Sequence, residues 1–196
     1  SGLVGSEMCI RDSQEGEAWT WEHQALVRAR VLVGCERVAG AFAEVRTAVL
    51  ARERDQAKLQ AEVSEMRAKM RDNLGSRATA AGTAANAFDA ASPFDLKQDA
   101  GGIVDIEFMV QYAALAWSKQ HPALLEFTDN IRILEGLDRL GLLRDGEASL
   151  LQDAYKAYRS AAHRQALQKQ PGVVGGDQFH EHRRNVMRIW RELGLS

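Results

Sequence analysis

The chain has 196 residues, of which 45% are hydrophobic and 27% are charged, and this balance predicts a folded chain of one large domain or two small lobes. Its net charge of −2 gives no overall positive field for a nucleic-acid backbone, and Cys9 and Cys35 are too few for a disulfide framework. We therefore expect a protein of a reducing compartment, the cytoplasm, without a nucleic-acid partner.

The start of the chain carries no recognisable targeting or membrane segment. No apolar run approaches the roughly 20 residues that span a bilayer, and the basic start of a signal peptide is missing. Residues 1–17 lack periodicity and include the string MCIRDS, which resembles translated sequencing-adapter read-through. We interpret 1–17 as a non-native or disordered segment, and the chain as an N-terminally truncated fragment.

Three opening segments repeat apolar residues at spacings of three and four, which is typical of amphipathic helices. The first runs from Ala18 to Val33, the second from Cys35 to Val49, and the third follows Asp55, a candidate N-cap. Residues 73–93 are rich in Gly, Ala, Ser, Thr and Asn without periodicity. They predict a linker or an insertion.

Two short runs after this linker, PFDLKQ and IVDIEF, alternate apolar and polar residues. The glycine pair between them predicts a β-hairpin. The twofold period of a strand would put Asp105 and Glu107 on one face, and Lys97 would lie on the polar face of the other strand. Two carboxylates beside a lysine suit Mg²⁺ and phosphate. A solvated strand face explains the same alternation, and the residues alone leave both interpretations open.

Helical periodicity returns beyond Met109 and predicts a C-terminal bundle. The expected helices cover residues 110–119, 130–140, 147–168 and 178–193, with Thr128 or Asp129 as the cap of the second. Tyr155, Arg159 and His163 stand four apart along one of these helices. Such a stripe packs against a neighbouring helix or faces a partner.

Three separated segments resemble bacterial glutamine synthetase adenylyltransferase, the bifunctional adenylyltransferase and adenylyl-removing enzyme. They read AWTWEHQALVRARV, FDLKQDAGGIVDIEFMVQY and TDNIRILEGLDRLGLL, in the order and spacing of that family. Each head of such an enzyme is a nucleotidyltransferase domain of the DNA polymerase beta type followed by a helical bundle. The sequence GGIVDIEF is similar to the corresponding motif of the C-terminal, adenylyl-attaching head.

The resemblance implies an α+β, mostly helical fold in which the hairpin is a remnant of the nucleotidyltransferase sheet. Residues 18–108 would end the nucleotidyltransferase domain, and residues 109–196 would form the helical bundle. The implied reaction transfers AMP from ATP to a tyrosine of glutamine synthetase with Mg²⁺. Glutamine and the PII signalling protein would control it.

The same resemblance implies roles for the residues of the predicted hairpin. Asp105 would be the third magnesium carboxylate of the family, with Glu107 in reserve, and Lys97 would contact phosphate. The other two carboxylates of the family form an Asp-x-Asp pair after a Gly-Ser turn, and no such pair lies upstream of Trp19. We therefore expect this chain to be inactive by itself. A non-catalytic helical module for regulation or interaction is the alternative.

Overall fold

The computed structural model describes residues 19–75 and 92–196, and these form an α+β fold that is mostly helical, as predicted. The elements in chain order are α1 (Thr20–Val27), α2 (Glu36–Leu50), α3 (Gln56–Leu74), β1 (Phe94–Asp95), α4 (Ile103–Trp117), a 3₁₀ helix (Pro122–Leu125), α5 (Asn130–Arg139), α6 (Glu147–Leu167), β2 (Val173–Val174) and α7 (His180–Glu192). No helix of the described ranges has the length and apolar character needed to cross a membrane.

The two helices that were predicted to begin at a capping residue are confirmed. Asp55 caps α3, since its carboxylate accepts the backbone N–H of Lys58 at 2.9 Å. Asp129 caps α5 in the same way and accepts the backbone N–H of Arg132 at 3.0 Å. Helices α2, α6 and α7 also lie where the periodicity puts them.

The first helix is shorter than predicted, because α1 ends at Val27 rather than Val33. Arg46 of α2 closes it by donating to the carbonyls of Leu26 and Val27 at 3.1 and 2.6 Å. The residues beyond this point leave the helix. Leu32 and Val33 are 79% and 94% exposed, so the prediction that an amphipathic helix extends to Val33 is wrong.

The predicted hairpin is also wrong. The run IVDIEF forms the first turns of α4, and β1 pairs instead with β2 in antiparallel register, with Phe94 opposite Val174. Apolar residues fill almost every side of α4, so its helical period is hidden and a short alternating run at its start imitates a strand. Residues 76–91, most of the predicted linker, lie outside the described residues.

Helix α4 is the centre of the core, since α1, α3, α5, α6 and α7 all pack against it. Its buried side chains include Ile106, Met109 and Tyr112. The predicted domain boundary between 108 and 109 falls inside this helix. The division into domains stays a prediction.

Candidate functional site

Asp105 lies in the first turn of α4, and its carboxylate is buried with both oxygens engaged. Oδ1 accepts from Arg67 Nε at 2.5 Å, and Oδ2 accepts from the backbone N–H of Gly101 at 2.6 Å. The side chains of Arg67 and Asp105 are 0% and 4% exposed. Charged groups at this depth require a partner, and here each supplies the other's counter-charge.

The turn before α4 is held in place by the same group of interactions. Arg67 also donates to the carbonyl of Gln98 at 2.7 Å, and Arg183 of α7 donates to the carbonyl of Ala100 at 2.8 Å. Gly101 has a φ of +82°, a conformation that favours glycine. Asp105 therefore ties this turn to α3 through Arg67.

Glu107 faces a different direction, because two residues along an α-helix are about 200° apart around its axis. Its Oε1 accepts from Arg28 Nη1 at 2.8 Å, from Tyr155 at 3.3 Å and from the amide nitrogen of Asn130 at 3.5 Å. Arg159 Nη1 in turn donates to the Tyr155 hydroxyl at 3.3 Å. We call Arg28, Glu107, Asn130, Tyr155 and Arg159 the Glu107 cluster.

The Glu107 cluster lies where α1, α4, α5 and α6 meet and is partly open to solvent. The side chains of Arg28 and Glu107 are 38% and 21% exposed. The pKa of Arg159 is raised mainly by the hydrogen bond between Arg159 and Tyr155, and the negative charge of Glu107 raises it further. The cluster joins all three segments that carry the family resemblance: Arg28 comes from the first, Glu107 from the second and Asn130 from the third.

The structure does not bring the three predicted site residues together. Lys97 is exposed in the turn after β1, where its backbone N–H donates to Asp95 Oδ1 at 2.8 Å. Within 19–75 and 92–196, no hydrogen bond or ion pair joins Lys97 to Asp105 or Glu107. The shared strand face on which the metal site depended is absent because the segment is helical.

The described residues do not fit Mg²⁺ at this place. Asp105 has both oxygens occupied by internal donors, and Glu107 binds a guanidinium. Nowhere in the described ranges do three His, Cys, Asp or Glu side chains gather closely enough to hold a metal ion. The roles assigned to Asp105, Glu107 and Lys97 by resemblance stay predictions without a supporting geometry.

Sequence reasoning missed Arg67 as a partner of the predicted site residue Asp105. It is 0% exposed and is the counter-charge of Asp105. One signal could have found it: Arg67 lies one helical turn after Val63, on the apolar stripe of α3, and a charge on such a stripe indicates a buried ion pair.

Fold and site together define a mostly helical protein in which Asp105 and Glu107 are held in ion pairs. Comparisons with known proteins place it in a family. The family described as "GlnD PII-uridylyltransferase" matches residues 64–172, and the family described as "Glutamate-ammonia ligase adenylyltransferase" matches residues 1–45. Because the first match covers more than half of the chain, the chain belongs to that family.

Its relatives are bifunctional glutamine synthetase adenylyltransferase/adenylyl-removing enzymes, which confirms the resemblance found in the sequence. The protein of that name from Pseudomonas syringae pv. tomato is 73% identical over 100% of this chain, and that from Pseudomonas aeruginosa is 70% identical over 99%. The protein from Nitrosococcus oceani is 48% identical over 98%. The chain spans only 20%, 20% and 19% of these relatives.

Proposed function

We propose that the longer protein to which this chain corresponds transfers AMP from ATP to a tyrosine of glutamine synthetase. The support is the shared name of relatives that are up to 73% identical over the whole chain. In this proposal the chain belongs to the C-terminal, adenylyl-attaching head. Glutamine synthetase is the target, glutamine and the PII signalling protein are the regulators, and the cytoplasm is the location.

Within that protein, we propose that residues 19–75 and 92–196 are a non-catalytic helical module, the alternative that the sequence left open. The observation that carries this proposal is the buried carboxylate of Asp105, whose two oxygens accept from Arg67 and Gly101. When bound, Mg²⁺ would neutralise charge on the triphosphate of ATP. Its ligands would come from residues other than Asp105 and Glu107.

The module's own contribution is mechanical. Asp105 and Arg67 lock the turn that precedes α4, and α4 is packed against five other helices. Because a packed core deforms little, such a module holds whatever is attached to it in a fixed orientation. This is the kind of support that positions reacting groups in a larger enzyme.

The first experiment tests the chain itself. The 196-residue chain is incubated with Mg²⁺, ATP labelled in the α-phosphate and glutamine synthetase, with the full-length Pseudomonas syringae relative as the positive control. We expect label on glutamine synthetase only with the full-length protein. Labelling by the chain alone would contradict the non-catalytic assignment.

The second experiment separates a structural role of Asp105 from a metal-binding one. Asp105→Asn is introduced at the corresponding position of the full-length relative, and melting temperature, kcat and the apparent Mg²⁺ affinity are measured. A structural role lowers the melting temperature and leaves the Mg²⁺ affinity unchanged. A normal melting temperature with a loss of kcat above a hundredfold would assign the metal role to Asp105 after all.

A further inference from the structure

The guanidinium of Arg159 is held in place by Tyr155, but no carboxylate among the described residues neutralises its charge. Its Nη1 donates to the Tyr155 hydroxyl at 3.3 Å, and its Cζ lies 5.6 Å from the centre of the Tyr155 ring. The residue is exposed, and among the described residues no carboxylate forms an ion pair with it. A guanidinium has five N–H donors, and among the described residues the side chain of Arg159 donates only to Tyr155, which already positions it.

Arg28 adds a second guanidinium to the same cluster. It is bound through Nη1 to Glu107 at 2.8 Å, and its side chain is 38% exposed. Glu107 carries the single negative charge of the Glu107 cluster and balances one of the two arginines. The cluster therefore has an excess of one positive charge, located on the side of Arg159.

The cluster also contains an unused hydrogen-bond acceptor. Asn130 is 2% exposed, and its Oδ1 has no hydrogen-bond partner in the described part of the chain. A buried amide oxygen without a donor costs free energy unless a ligand or a water molecule supplies one. The cluster thus combines an excess of positive charge with a buried polar atom that has no partner among the described residues.

We propose that the Glu107 cluster binds a phosphate-class oxyanion, with the guanidiniums of Arg159 and Arg28 as its charged donors. Arginine forks suit the tetrahedral oxygens of a phosphate group, and charge-assisted hydrogen bonds of this kind are the strong ones. This site goes beyond the proposed transfer of AMP and does not depend on it.

The test uses the 196-residue chain and follows the side-chain N–H signals of its arginines by NMR at constant ionic strength. Inorganic phosphate, pyrophosphate and AMP are titrated separately, with acetate as an oxyanion of another class. We expect saturable shifts at Arg159 and Arg28 with at least one phosphate ligand, and weaker shifts with acetate. Tighter binding of AMP than of inorganic phosphate would identify a nucleotide as the ligand of this site. The reverse order would identify free phosphate or pyrophosphate as the ligand.

Two variants make the test specific. Arg159→Gln should weaken phosphate binding at least tenfold, and Arg164→Gln, an exposed arginine on the same helix, should leave it unchanged. Both positions are on the surface, and circular dichroism verifies that both variants fold. Equal losses in the two variants, shifts that do not saturate, or acetate binding as tight as phosphate binding would overturn the proposal.

Discussion

Arg67 Nε and Asp105 Oδ1 lie 2.5 Å apart in a contact that is closed to solvent and joins α3 to the first turn of α4. The two residues are 38 positions apart in the sequence. Removing two charges from water is costly, and their attraction compensates only while both are present. The contact therefore specifies how α3 sits on α4, and losing one partner should cost more than losing both.

Asp105→Ala should lower the free energy of unfolding by about 3–5 kcal/mol, since it leaves the Arg67 guanidinium buried without its counter-charge. Urea unfolding measures this loss. The double variant Arg67→Met/Asp105→Leu should lose less than Asp105→Ala, because no charge then remains buried. Lys69→Ala, an exposed position on the same helix, is the control and should change little. A double variant less stable than the single one would contradict this account.

A helix could be predicted from the sequence where one of its faces is polar and the opposite face is apolar. Helices α3 and α5 were predictable because each has a polar and an apolar face and begins at a capping aspartate, Asp55 or Asp129. Helix α4 was not, because it is buried on nearly all sides and shows no such contrast. Six residues of alternating polarity then fit a strand as well as a helix.

The candidate site was predictable in its residues but not in its partners. Glu107 was singled out from the sequence, and so was the stripe of Tyr155 and Arg159, but nothing local indicated that they meet. Glu107 and Tyr155 are 48 residues apart in the sequence, and they come together because α6 packs against α4. Arg28, the residue that follows α1, reaches Glu107 because α1 packs against α4.

Gly101→Ala should destabilise the chain far more than Gly141→Ala, although both glycines have a positive φ, of +82° and +63°. A Cβ at Gly101 would lie 2.6 Å from Arg183 Cγ and 2.8 Å from the Arg183 carbonyl oxygen, whereas a Cβ at Gly141 meets nothing within 4 Å. Backbone strain alone costs about 1–2 kcal/mol, the loss expected for Gly141→Ala. Thermal unfolding of the two variants compares them, and equal losses would mean that the turn moves to accept the methyl group.

Tyr158→Phe should raise the free energy of unfolding at neutral pH by about 1 kcal/mol, because the Tyr158 hydroxyl is buried and has no partner among the described residues. Tyr112→Phe is the matched control. The Tyr112 hydroxyl accepts from Gln56 at 3.1 Å, so its removal should lower stability by about 1 kcal/mol. Equal losses in both variants would show that Tyr158 has a donor or acceptor after all.

Stability should also fall above pH 10 for a reason specific to Tyr158. Burial raises the pKa of Tyr158 well above its ordinary value of 10; the charge of Arg183 opposes the shift, and that of Asp105 adds to it. Between those two pKa values the unfolded chain loses the Tyr158 proton while the folded chain keeps it, so rising pH favours unfolding. Urea midpoints measured from pH 9 upward should decline less steeply in Tyr158→Phe than in the unsubstituted chain. Parallel declines would contradict the shift.

Arg46→Met should loosen the start of the fold. Its guanidinium donates to the carbonyls of Leu26, Val27 and Leu125, the last at 2.7 Å, and so holds the end of α1 and the 3₁₀ helix to α2. Methionine keeps much of the side-chain volume but removes the donors, which leaves buried carbonyls unpaired at a cost of about 1–3 kcal/mol. Hydrogen exchange should accelerate in α1 more than in α5, which Arg46 does not contact. Arg37→Met, at an exposed position of α2, should leave both unchanged, and uniform acceleration throughout the chain would show that Arg46 contributes only to global stability.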